Sequence, residues 1–120
     1  MVTIMFYENI VYRHFENPSN VGTIHNATHS AIMGNPHEGA VIKLSARVVN
    51  NVIVDIAFKA YGGGAMIASM SLLTEKVKGK TVEEALQIKT TDLSDELNLE
   101  PVKLVYSIMA VEVLNKMLKS

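Results

Sequence analysis

Two runs of alternating apolar and polar residues, separated by Asn50–Asn51, constrain this chain more than any other feature. From Val41, the residues Ile42, Leu44, Ala46 and Val48 fall on one face and Lys43, Ser45 and Arg47 on the other. Successive strand side chains point to opposite faces, so this is the pattern of a half-buried strand. Beyond the asparagines, Val52, Val54, Ile56, Phe58 and Ala60 resume the alternation. Asparagine tolerates the positive φ that a tight turn demands, and a β-hairpin is predicted.

Helical patterns flank the hairpin. Tyr7 to Phe15 has apolar residues at helical spacing and stops at Asn17–Pro18, because proline denies the preceding residue a helical conformation. Residues 19 to 39, rich in Asn, Ser, Thr, His and Gly, read as loop, with one edge strand around Thr23 to Ile32. After Gly62–Gly63–Gly64, Met66, Met70, Leu73 and Val77 mark a helix face that closes near Gly79. Thr81 with Glu84 forms a capping box that opens a short helix through Ile88, and Asp92 to Leu97 adds a turn. Pro101 sits at the first position of a final helix that runs toward Leu118. That helix is apolar nearly all round at Val102, Leu104, Val105, Tyr106, Ile108, Met109, Val111 and Val113, which predicts central burial or, as the second reading, a partner surface.

Composition narrows the function. The chain has no cysteine, so disulfides, cysteine-ligated zinc and iron–sulfur clusters held on its own thiolates are all removed. Eleven basic residues against twelve acidic ones make no field that would gather nucleic acid or anionic lipid. The longest near-apolar stretch, Ala65 to Leu73, is far short of the ~20 residues of a membrane helix. With no secretory pattern at the start, one domain over residues 1–120 in the cytoplasm is the expectation.

Several motifs then resemble one family. Tyr12-Arg-His-Phe-Glu-Asn-Pro-Ser-Asn-Val-Gly22, Phe58-Lys-Ala-Tyr-Gly-Gly-Gly-Ala-Met-Ile-Ala-Ser69, Gly79-Lys-Thr81 and Leu99-Glu-Pro-Val-Lys103 run in the order found in the IscU scaffold family, also called the NifU N-terminal domain. The resemblance implies an α+β domain in which a short antiparallel sheet of about three strands packs against several helices. It also implies work in iron–sulfur cluster assembly, with sulfur received from a cysteine desulfurase, clusters passed onward, and a specialised chaperone meeting Leu99, Glu100, Pro101, Val102 and Lys103.

The departures fall on the family's ligands. Glu38 stands at its first cysteine, Ala40 at its aspartate, Gly63 at its second cysteine, and Val105 and Tyr106 at its His-Cys pair. No cofactor is therefore expected on the isolated chain, and an apolar lining stabilises no bare metal ion. The expected role is a non-enzymatic adaptor or decoy within cluster biogenesis.

Two alternatives stay open: zinc or iron held by Glu38 and His37, completed by other histidines or by a second copy in a homo-oligomer, and an apolar small molecule in the emptied cage. His25 and His29 read as surface histidines. Met66 and Met70 read as core, as does Met109. The triple glycine lacks the lysine and hydroxyl of a phosphate-binding loop, and Ser69, Ser71 and Ser107 show no Ser–His–Asp arrangement.

Overall fold

The computed structural model describes residues 10–119 of the chain. Helix α1 covers residues 10–16 of these, so the predicted helical start at Tyr7 lies outside the described residues. Strand β1 (His29–Asn35) leads through a 3-10 turn (Pro36–Glu38) to β2 (Ala40–Val49) and β3 (Val52–Tyr61). Helices α2 (Gly64–Val77), α3 (Val82–Ala85) and α4 (Thr90–Leu97) follow, and a second 3-10 turn (Pro101–Lys103) opens α5 (Leu104–Lys119). The three strands form one antiparallel sheet in the order β1-β2-β3, which is the expected α+β architecture.

Asn50 and Asn51 both adopt positive φ, 51° and 67°, as a two-residue hairpin turn matching the strand twist requires. The expected face of β3 is corrected near that turn. Val48 pairs with Ile53, but Arg47 pairs with Asp55, which leaves Val54 as the extra residue of a β-bulge. Ile53 is buried and Val54 exposed, while Ile56 and Phe58 beyond the bulge point inward as the alternation predicted.

On the inner face, Ile42, Leu44, Ile56 and Phe58 meet Met66, Met70, Leu73, Val113, Leu114 and Met117 of the helices, all buried. Each such side chain contributes ~1.5–3 kcal/mol by leaving water. Helix α5 packs on β1 and β2, α2 packs on β3, and α4 closes the layer against both helices.

Four boundaries differ from expectation, α4 beginning at Thr90 rather than Asp92. The edge strand lies at His29–Asn35 rather than Thr23–Ile32, because residues 20–24 are held elsewhere: the Ile24 N–H donates to Ser45 Oγ (3.0 Å), and Phe58 bonds Asn20 and Gly22 through their backbones. Helix α3 ends at Ala85 instead of Ile88. Pro101 begins a 3-10 turn, and the α-helix proper starts at Leu104.

Candidate functional site

The five positions at which the resemblance puts the family's ligands, Glu38, Ala40, Gly63, Val105 and Tyr106, are placed by a strand end and two helix starts. Val41 pairs with Tyr61 and Asn35 with Ala40, so the turn carrying Glu38 and the exit of β3 into Gly62–Gly63 share one end of the sheet. They touch: a Cβ built on Gly62 would lie 3.6 Å from Gly39 O and 3.1 Å from Met66 Sδ. Gly63 is the N-cap of α2 at φ −79° and ψ 174°, an ordinary extended conformation, and a Cβ there meets nothing within 4 Å. Val105 and Tyr106 occupy the first turn of α5, which is joined to α2 by the hydrogen bond between the Ser69 and Ser107 hydroxyls (3.1 Å).

Glu38, Gly63 and Val105 are exposed, and Ala40 and Tyr106 are half-buried. Of the five, only Glu38 and Tyr106 carry a side-chain atom able to ligate iron. Cluster iron is ordinarily held by thiolate, with imidazole as the recurring substitute, so this donor set does not fit a cluster. His37 and Glu38 are both exposed on the 3-10 turn, where Asn35 Oδ1 accepts the His37 N–H (2.9 Å). Among the described residues no three His, Cys, Asp or Glu side chains gather where they could hold a metal. His25 is exposed, and half-buried His29 bonds its neighbour Thr28 through Nδ1 (2.8 Å).

The expectation of central burial for the last helix is corrected at its first turns. Val102, Val105 and Ile108, three residues apart along one side, are 77%, 48% and 42% exposed. Burial belongs to Ser107, Ala110, Val111, Val113 and Leu114 on the other side. Within the segment 99–103, Leu99 packs against the core while Glu100, Pro101, Val102 and Lys103 face solvent. Met66 and Met70 are core, as expected, and Met109 is half-buried against it.

Sequence reasoning missed two aromatic side chains beside the glycines. Tyr61 is 70% exposed, and the Phe15 ring comes within 3.4 Å of where a Gly64 Cβ would stand. The outward phase of Tyr61 was readable from the strand alternation; the position of Phe15 depends on how α1 docks.

Ser71 meets a histidine without forming a Ser–His–Asp arrangement: His14 Nδ1 lies 2.8 Å from Ser71 Oγ, which also accepts the Ser19 N–H (2.9 Å). Ser71 is fully buried, so its hydroxyl cannot reach a substrate. With the Ser19 hydroxyl donating to Glu75 and Asn20 Nδ2 donating to Thr74 Oγ1 (3.0 Å), the pair fastens the α1 region to α2. The adjoining crevice of about 290 Å³ is lined by Arg13, His14, Asn17, Ser19 and Glu75.

A three-stranded antiparallel sheet covered by helices on one face, with an open sheet end that carries Glu38, Ala40 and Gly63, places the molecule among α+β domains of the cluster-scaffold type. The chain belongs to the family described as the NifU-like N terminal domain, whose model matches residues 6–120. It is 47% identical over 110 residues to the iron-sulfur cluster assembly scaffold protein IscU of Escherichia coli K12, covering 88% of this chain and 86% of that one. It is 46% identical over 110 residues to the iron-sulfur cluster assembly enzyme IscU of Drosophila melanogaster, covering 88% and 71%. A solved N-terminal NifU-like structure from Brucella abortus superposes with a TM-score of 0.72 at 16% identity, covering 94% of this chain and 95% of that one, which supports the fold. No helix among the described residues is long and apolar enough to cross a membrane.

Proposed function

We propose that this protein serves iron–sulfur cluster biogenesis by docking, as an adaptor or decoy, without carrying a cluster. The observation that carries the reading is selective change: 47% identity to a scaffold extends over 110 residues, whereas none of the five ligand positions keeps its donor and the chain has no cysteine. Drift under no constraint would erode core and surface motifs as well. The cluster is cargo for the relatives that bear ligands, and this chain keeps the platform while releasing the cargo site.

Two surfaces suit partners. The exposed Val102, Val105 and Ile108 offer an apolar stripe, and Glu100 to Lys103 lie open beside it. Interfaces concentrate energy in a few anchors, so single truncations there are informative. The cysteine desulfurase and the specialised chaperone are the proposed occupants. Glu100, where the family has proline, weakens the preformed extended character of the chaperone-facing segment.

Calorimetry with both partners from the same organism tests the reading. Micromolar binding is expected, with Val102→Ala or Lys103→Ala weakening the chaperone contact selectively. No heat of binding with either partner at micromolar concentration overturns it.

A further inference from the structure

On the outward face of the sheet, away from the helices, Ile32, Lys43 and Lys59 form one row with a residue from each strand, because Ile32 pairs with Lys43 and Lys43 with Lys59. Residues directly opposite in antiparallel strands share a face, with Cβ atoms ~4.5–5.5 Å apart. All three are exposed, Ile32 to 55%. The next row toward the sheet end is Gly34, Val41 and Tyr61. In the row on the other side, Ser45 and Ala57 are buried, and Ser45 Oγ accepts the Ile24 N–H. Residues near Ile24 thus cover the Ser45–Ala57 row and leave the two lysines exposed.

Two like charges directly opposite on a sheet repel, so their pairing detracts from stability. Neighbouring positions are matched differently: Arg47 stands opposite Asp55. The ion pairs among the described residues are Lys76–Glu96 and Lys78–Asp55, and neither Lys43 nor Lys59 takes part in one. A third cation adds to the field at this edge, where Lys116 Nζ donates to Ile32 O (2.9 Å). Glu38, in the turn at the same sheet end, forms no ion pair with any of the three.

We infer that this face docks an acidic protein segment carrying apolar anchors. Its carboxylates neutralise Lys43 and Lys59, and its apolar side chains, one on each flank, lie on Ile32 and on Tyr61. Opposed charge steers encounter and sets register, while the apolar flank supplies contact area. Three cations on a chain of net charge −1 make no track along which a nucleic-acid backbone could run. Helix α5 packs on the opposite face of β1 and β2, so the surface is separate from the Val102 to Ile108 stripe and serves an acidic partner whatever meets that stripe.

The test is a titration of the 15N-labelled chain with a capped heptapeptide of glutamate and aspartate containing one leucine and one phenylalanine, and with its lysine counterpart. The acidic peptide is expected to shift the amides of Ile32, Lys43, Lys59 and Tyr61. Lys43→Glu with Lys59→Glu, or raised salt, is expected to weaken it by about tenfold or more. Should the reversed-charge variant melt at a lower temperature, Lys43→Gln with Lys59→Gln carries the comparison. Absent shifts, shifts mapping elsewhere, or equal response to the lysine peptide overturn the inference. Tighter binding of a single-stranded RNA of equal charge at these amides also overturns it, in favour of nucleic acid.

Discussion

Ser69 Oγ and Ser107 Oγ lie 3.1 Å apart with both residues fully buried, and this bond fixes the first turn of α5 against α2. A buried hydroxyl that loses its partner costs ~1–3 kcal/mol. Ser107→Ala should therefore lower unfolding free energy in urea by about 1–2 kcal/mol. Because the two residues share one bond, Ser69→Ala with Ser107→Ala should cost less than the sum of the single changes, by about 0.5 kcal/mol or more.

The cap of α3 gives a pH-dependent prediction. Thr81 Oγ1 accepts the Glu84 N–H (3.1 Å), and Glu84 Oε1 accepts the Thr81 N–H (2.9 Å). The bond from the Thr81 backbone, and then the one to its side chain, hold the Glu84 carboxyl below its ordinary pKa. A depressed carboxyl stabilises the fold above its unfolded pKa of about 4.3, and that contribution disappears as pH falls through the lower folded value. Glu84→Gln should flatten the acid limb of the stability profile. Thr81→Ala should cost about 1 kcal/mol in urea melts across the neutral range.

Gly34 and Gly63 should respond oppositely to a side chain. At Gly34, φ is +100° and a Cβ would fall 2.2 Å from the Ala40 carbonyl oxygen, so Gly34→Ala should destabilise by on the order of 3 kcal/mol. Gly63 has open space, an extended backbone and the N-cap position, where serine is preferred over glycine by a few tenths. Gly63→Ser should change stability by less than about 0.5 kcal/mol in the same denaturation assay, toward stabilisation. That outcome would mean the fold does not require glycine at position 63.

Lys43 facing Lys59 predicts a gain from charge reversal. Lys43→Glu converts a repelling cross-strand pair into an attracting one, worth about 0.2–1 kcal/mol. Thermal melts at low salt should rise and the gain should shrink as salt screens the pair.

Much of this was legible in the sequence, and the failures have physical reasons. The hairpin, the capping box and the α2 core face follow from alternation, turn chemistry and helical spacing that the structure retains. The bulge is legible in the sequence too. A two-residue turn after Val49 pairs even-numbered with odd-numbered residues, yet Ile42 and Leu44 must share a face with Ile56 and Phe58, so one residue had to be extra. Val54 is that residue, and without it Lys43 would not face Lys59. The position of β1 and the meeting of His14 with Ser71 depend on contacts 52 to 57 residues apart in the α1 region and on residues 20–24 crossing the sheet, which local patterns do not encode. At the candidate site, the five altered positions were readable only against the family's motif, whereas the exposure of Val102, Val105 and Ile108 was set by which side of α5 faces α2 and the sheet.

In its proposed role the chain engages the assembly machinery and holds no cluster. The most direct measurement adds it in increasing amounts to desulfurase, cysteine, iron and a cysteine-bearing IscU, and follows cluster formation on the latter by its visible absorbance. Saturable slowing is expected, relieved by excess desulfurase, while the cysteine-free chain stays colourless on re-isolation. Unchanged cluster formation at stoichiometric excess, or a cluster carried on this chain with matching iron and sulfide, would contradict it.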